Sequence, residues 1–268
     1  MATLARIDWK DLPEDTRSAV EQHTGRVWSA RTVSAGLNSA VAAVLTAERG
    51  AVFVKGLHRN YRRRWTQDME AMINPHVAHL SPRLLWRVQG EWDVLGFEAV
   101  DGRHADYRPG SADLAHVAQT ATALGHVPCP DLPVKVATHR WREYVDAPEE
   151  LRWLAGDRLL HTDFNPLNVL MSNGRALLID WAWPTRGAGW IDPACLIVRL
   201  MADGHSAVSA EAVVQEVPAW QMAPGEGLAV FARISARMWG EIARGDPSEW
   251  TQRMARAATE WAAYRARA

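Results

Sequence analysis

The 268-residue chain is poor in three things. It has two cysteines, Cys129 and Cys195, which excludes a disulfide-built secreted scaffold and points to a reducing compartment. It has three lysines, at positions 10, 55 and 135, beside 27 arginines, so each lysine is informative. It has almost no net charge, 30 basic residues against 31 acidic ones, and thus neither the basic field of a nucleic-acid binder nor an acidic tail. Long apolar runs are also lacking. The longest, near Ser39 to Ala47, is far short of the roughly 20 residues that span a bilayer. The opening segment MATLARIDWKDLPED has no apolar signal core. The expectation is a cytoplasmic protein with no nucleic-acid and no membrane partner. What remains is an ordinary globular composition, 48% hydrophobic and 23% charged, with an unusual 14 tryptophans, in a chain large enough to enclose a cleft.

Strand signals gather at the front of the chain. Val41 to Thr46 and Ala51 to Gly56 read as a hairpin closed by Arg49-Gly50. Tyr61, Trp65, Met69 and Met72 lie at helical spacing in a segment from Asn60 to Ile73, which Asn74-Pro75 should stop. Leu84 to Val88 and Trp92 to Val100 are two more strands, and the turn-rich DGRHADYRPG that follows marks a boundary. The rest reads as helical. Ser111 can cap a helix through Ala123, Asp146 and Glu149 have capping-box spacing ahead of PEELRWLA, and Asp192-Pro193 suits a helix start. One hairpin interrupts this pattern: Val169 to Met171 and Ala176 to Ile179, joined by Ser172-Asn173-Gly174.

That hairpin collects polar residues that folding alone does not require. His161, Asp163 and Asn168 precede it and Asp180 ends it. In an antiparallel pair with a tight turn, the residue entering the first strand lies near the residue leaving the second, so Asn168 and Asp180 should be neighbours. An amide oxygen beside a carboxylate suits Mg2+, which takes one or two hard protein ligands plus phosphates and water. Asp163 would then stand where it can orient a hydroxyl or accept its proton. Taken singly, each residue has a plainer use: Asp180 as a strand end, Asn168 as an Asx turn, His161 as a core histidine. The combined order H-x-D-x-x-x-x-N, hairpin, Asp is far more specific. Lys55 lies on the apolar strand AVFVKG, where a lone ammonium needs an anionic partner or a path to the strand end; Glu70 on the following helix is a candidate partner. SAGLNS, residues 34–39, could fold over phosphates or be an ordinary loop.

These residues resemble the aminoglycoside phosphotransferase and choline kinase family of protein-kinase-like folds. The resemblance runs over most of residues 30–200, and its specific parts are HTDFNPLN and LLIDW. It implies an α+β, two-lobed protein-kinase-like fold, with an antiparallel-sheet nucleotide-binding lobe over 1–98 and a mainly helical catalytic and acceptor-binding lobe over 99–268. It implies Asp163 as catalytic base, Asn168 and Asp180 as Mg2+ ligands, Lys55 on the α and β phosphates of ATP, and Glu70 orienting Lys55. His161 would be a structural member of the catalytic loop, and Asp192 would brace that loop as well as cap its helix. Gly36, Asn38 and Ser39 would belong to the phosphate loop, and the main chain at Phe97 and Ala99 would hold adenine. The sequence departs from the pattern at Trp181, which follows the metal aspartate where protein kinases carry Phe-Gly, and in a phosphate loop with a single glycine.

Eleven residues separate Asp180 from Asp192, too few for the activation segment of a protein kinase, so the acceptor should be a small hydroxylated molecule. The leading expectation is an ATP-dependent O-phosphotransferase acting on an antibiotic, sugar or nucleoside-like hydroxyl, with antibiotic inactivation among its roles and GTP left open. Alternatives are a metal-dependent phosphate-ester hydrolase, which gives Lys55 and Glu70 no role, and a catalytically silent nucleotide-binding module. Trp181, Trp183 and Trp190 could form an acceptor platform or pack the core. The arginines at 62–64 read as a solvated helix face.

Overall fold

The structure, a computed structural model, describes residues 5–34 and 39–267, and these divide into two compact units. The N-terminal unit runs to Gly102 and also takes in residues 179–182; the second unit is residues 103–178 with 183–267.

The N-terminal unit holds α1 (Glu14–Thr24), β1 (Val27–Thr32), β2 (Val41–Ala47), β3 (Gly50–His58), α2 (Trp65–Val77), β4 (Leu84–Gln89) and β5 (Trp92–Glu98). The strands make one antiparallel sheet in the order β1-β2-β3-β5-β4. Both α1 and β1 are additions to the expected single helix and four strands. β1 is an edge strand, largely exposed along its length, so it carries no apolar alternation to read. The core joins Val41, Ala43 and Leu45 of β2 to Val52 and Val54 of β3, Val94 of β5, Val20 of α1, and Trp9 and Leu12 ahead of it. Each large aliphatic side chain buried there contributes roughly 1.5–3 kcal/mol. Gly96 of β5 is fixed by its neighbour: a Cβ there would run into the indole of Trp86, which also stacks on His23 at 5.2 Å.

α2 differs from the sequence reading at both ends. It begins at Trp65 and continues through Pro75 to Val77. The proline removes one N–H near the helix end. Asn74 beside it anchors that end, donating to the Pro82 carbonyl and accepting from the Leu84 N–H. Arg64 is not a free surface charge either, because it pairs with Asp68 and Asp93, and Arg87 of β4 joins the same two carboxylates.

The second unit holds β6 (Arg103–His104), α3 (Asp113–Gly125), β7 (Lys135–Val136), α4 (Ala137–Arg140), β8 (Arg158–Leu160), β9 (Val169–Ser172), β10 (Arg175–Leu178), β11 (Thr185–Gly187), α5 (Ile191–Ala202), α6 (Ala207–Val214), α7 (Pro218–Gln221), α8 (Gly225–Gly245) and α9 (Glu249–Arg265). It is mainly helical, with two small sheets rather than one hairpin: β10-β9-β6 and β7-β11-β8. The expected hairpin is β9–β10, with Val169 opposite Leu178 and Ser172 opposite Arg175. Asn173 and Gly174 both have positive φ, as a two-residue type I′ turn requires. α5 is buried along most of its length. α8 packs on the same core through Phe231, whose ring meets Trp141 and Trp190 edge-on.

Three capping expectations change. Ala112 precedes α3, and Ser111 helps from one residue further back by accepting the Asp113 N–H at 3.2 Å. PEELRWL is a 3-10 segment with no side-chain cap, since Asp146 gives its carboxylate to Arg233 and Arg237 and its N–H to Glu150, not Glu149. Asp192 does not cap α5, because the helix starts one residue before it. No helix among the described residues is long and apolar enough to cross a membrane.

Candidate active site

In the N-terminal unit β3 places Lys55 between Ala42 of β2 and Leu95 of β5, in the middle of the sheet. α2 lies against it, tied by the Gln67 amide to the carbonyls of Lys55 and Asp93 at 3.4 and 3.0 Å. This brings Glu70 Oε2 to 2.7 Å from Lys55 Nζ, while Asp180 Oδ1 reaches the same nitrogen at 2.6 Å. Burial works against the ammonium, yet the two carboxylates outweigh it and hold the Lys55 pKa above the ordinary lysine value. The lysine is therefore shared between two carboxyl groups, of which burial pushes that of Glu70 above its ordinary value. Asp180 has a positive φ, 65°, so its side chain leaves the chain at a sharp bend. The next residue anchors that bend, Trp181 Nε1 donating to Ser81 Oγ at 2.7 Å.

In the second unit residues 161–168 link β8 to β9. Asp192 holds the start of this loop: its carboxylate accepts the N–H of His161 at 2.9 Å and of Thr162 at 2.7 Å. Burial pushes the Asp192 carboxyl up to about 7, against the pull of those two N–H groups. Asp192 thus bonds the first two N–H groups of this loop and does not cap its helix. Thr162 sits at φ 65°, a conformation that a β-branched residue adopts only under restraint. The restraint comes from Asp192 on its N–H and from Arg140, whose Nη1 donates to Thr162 Oγ1 at 2.6 Å and to Thr185 Oγ1 at 2.9 Å. His161 is buried and its Nδ1 accepts the Asp163 N–H at 3.3 Å, which places the ring proton of a neutral imidazole on Nε2.

Asp163 follows, two-fifths exposed. Its Oδ2 accepts from Asn168 Nδ2 at 3.0 Å and its Oδ1 from Arg199 Nη2 at 2.6 Å. Asn168 is turned by Asn165, which accepts the Leu167 N–H on its side chain and the Asn168 N–H on its carbonyl. Because Asn168 spends its amide nitrogen on Asp163, its Oδ1 is presented as a hard oxygen acceptor. Sequence reasoning missed Arg199, Arg140 and the strain at Thr162. A signal for Arg199 was available, a single arginine in the apolar run ACLIVRLM, the same kind of signal that singled out Lys55.

The structure brings together Lys55, Glu70 and Asp180 in one unit, and His161, Asp163, Asn168 and Asp192 in the other. Gly36 and Asn38 lie outside the described residues. Ser39 is buried, with its carbonyl accepting from Arg6 at 2.7 Å. Phe97 is the penultimate residue of β5, opposite Phe53 and Leu84, and Ala99 leaves the strand just after it. Trp181 and Trp190 are core residues at 2% and 5% exposure. Only Trp183 of that trio is partly exposed, with the Lys135 ammonium 4.7 Å from its ring centroid.

No family model matches the sequence, and neither does any curated protein. Solved structures do match over nearly the full chain. Choline kinase LicA from Streptococcus pneumoniae aligns at TM-score 0.66 and 13% identity, over 94% of this chain and 98% of that one. An aminoglycoside phosphotransferase from Alicyclobacillus acidocaldarius aligns at 0.64 and 16%, over 96% and 97%. A macrolide 2'-phosphotransferase from Brachybacterium faecium aligns at 0.52 and 16%, over 92% and 98%. The chain therefore has the two-lobed, protein-kinase-like α+β fold of the choline kinases and the aminoglycoside and macrolide phosphotransferases.

Proposed function

We propose that the protein is an ATP-dependent O-phosphotransferase that moves the γ-phosphate to a hydroxyl of a small acceptor. The observation that carries this reading is the buried Lys55, paired at once with Glu70 and Asp180. A buried ammonium held between two carboxylates is costly as architecture and useful as a polyphosphate anchor. The hydrolase alternative leaves Lys55 and Glu70 without work, so their contact favours the kinase reading.

In this reading Lys55 binds the α and β phosphates and Glu70 fixes its direction. Phe97 and Ala99 offer main-chain groups to adenine, and Ser39 belongs to the phosphate-binding segment. The Asn168 amide oxygen and the Asp180 carboxylate fit Mg2+ as hard donors, and they would hold the ion whose charge offsets that of the phosphates. Asp163 hydrogen-bonds the acceptor hydroxyl, aims it at the γ-phosphorus and takes its proton as the new P–O bond forms. The solved relatives frame the acceptor class: one is a choline kinase, and another was captured with ADP and hygromycin B. Antibiotic inactivation is one role within that class.

Acceptor-dependent ADP release tests the reading. With ATP, Mg2+ and a panel of amino alcohols, sugars, nucleosides, macrolides and aminoglycosides, at least one acceptor should raise ADP formation well above the acceptor-free rate. Phosphate-ester cleavage without nucleotide, or nucleotide binding with no turnover for any acceptor, would favour the hydrolase or the silent module.

A further inference from the structure

Arg199 projects from α5, and its guanidinium is unusually placed. Its side chain is 8% exposed, and Asp163 is the one carboxylate it pairs with among the described residues. Aromatic rings and a thioether lie against it, and Asp203, Tyr107 and Cys195 are within electrostatic reach. The guanidinium carbon lies 4.9 Å from the ring centroid of Trp239 on α8 and 5.2 Å from that of Trp250 on α9, and Nη1 reaches Met254 Sδ at 3.5 Å. The two indoles meet edge-to-face at 5.3 Å, so three helices converge on one cation. A buried charge here costs desolvation that an aliphatic residue on α5 would avoid. Packing alone does not account for it.

Its effect on Asp163 is geometric. Arg199 takes one lone pair of Oδ1 and Asn168 one of Oδ2, and two donors on opposite oxygens stop the carboxylate plane from turning. Each oxygen keeps a second acceptor site for an incoming hydroxyl. The clamp of Trp239 and Trp250 in turn stops the guanidinium from following solvent or substrate. We infer that Arg199, held by Trp239 and Trp250, is a positioning residue that fixes the Asp163 carboxylate for the acceptor hydroxyl. The inference rests on the phosphotransfer reading above, in which Asp163 faces the acceptor.

The test compares Arg199→Leu, Arg199→Lys, Asp163→Asn and the double variant Asp163→Asn/Arg199→Leu, using an acceptor that the wild type phosphorylates. Circular dichroism and thermal melting establish that each is folded. Misplacing a reacting group by about 1 Å can cost up to about 10²-fold. Arg199→Leu should therefore lose about 10- to 100-fold in kcat with the KM for ATP nearly unchanged. Arg199→Lys, which keeps the charge but not the planar fork, should recover part of that loss. In the Asp163→Asn background Arg199→Leu should cost little more, because the two act as a unit. A folded Arg199→Leu with wild-type kcat, a change confined to the KM for ATP, or losses that multiply in the double variant would overturn the inference. If Arg199→Leu does not fold, Arg199→Lys decides, and wild-type kcat there overturns it. A wild type that phosphorylates nothing fails at an earlier step: it removes the phosphotransfer reading and the positioning role with it.

Discussion

In the proposed reading a few side chains carry most of the chemistry, and their expected responses differ. Lys55→Met leaves Glu70 and Asp180 facing each other without the shared cation, and should lower kcat/KM by about 10²-fold or more, roughly the cost of losing a preorganised electrostatic contact. Steady-state kinetics over a range of ATP concentrations would show it. Asp163→Asn keeps the shape of the side chain but cannot take a proton, so kcat should fall by about 10²- to 10⁴-fold with the KM for ATP held. Asp192 answers to pH instead. Its carboxyl is raised from 3.8 to about 7 in the folded protein, so between about pH 4 and 7 the folded state binds the extra proton. This group's contribution to stability is thus greatest at low pH and declines as pH rises through that window. The stability deficit of Asp192→Asn relative to wild type should be largest near pH 4 and shrink toward pH 7 and above. Melting curves of both proteins across that range check it, and a deficit that grows with pH would contradict it. Lys55 stood out in the sequence as a charge where the strand pattern calls for an apolar side chain, and the loop residues stood out by their order and spacing. Thr162 gave no such signal, because positive φ at a threonine is written in its neighbours Arg140 and Asp192 and not in the residue itself.

Among the elements, what was legible depended on length and on how much of an element is buried. The pairing of β2 with β3 and the turn at Asn173-Gly174 were legible because apolar runs and left-handed turn residues are local properties. α1 and the exposed β1 were not, since neither shows an apolar stripe long enough to read. β7, β8 and β11 run for only two or three residues, and β7 joins β11 across some fifty positions, a pairing set by tertiary context. The same holds for Pro75, which ends a helix in isolation but not where Asn74 ties down the last turn. One element-scale expectation concerns β5. Gly96→Ala must displace the Trp86 indole or bend the strand, an overpacking that should cost about 1–3 kcal/mol in denaturant unfolding. Adding Trp86→Leu should return part of that loss. A Gly96→Ala protein as stable as wild type would show that the ring moves freely.

The proposed reading gives the two units of the molecule different tasks. The N-terminal unit carries the cation that would meet phosphate, together with residues 179–182, which depart from β10 to join it; the other unit carries the loop that would meet the acceptor. The fold class was legible at this scale because a front rich in strands and a back rich in helices survive errors in single elements. The acceptor was not, because Trp239 and Trp250, which come from the far end of the chain, are engaged with Arg199. Removing divalent metal with a chelator should abolish acceptor phosphorylation while leaving the melting temperature almost unchanged, and added Mg2+ should restore it. The most direct measurement of the central claim follows the γ-phosphate itself. With γ-labelled ATP, Mg2+ and an active acceptor, the wild type should place the label on an acceptor hydroxyl in step with ADP formation, and Asp163→Asn should lose that transfer by about 10²-fold or more. Label released only as inorganic phosphate, or transferred equally well by Asp163→Asn, would contradict the account.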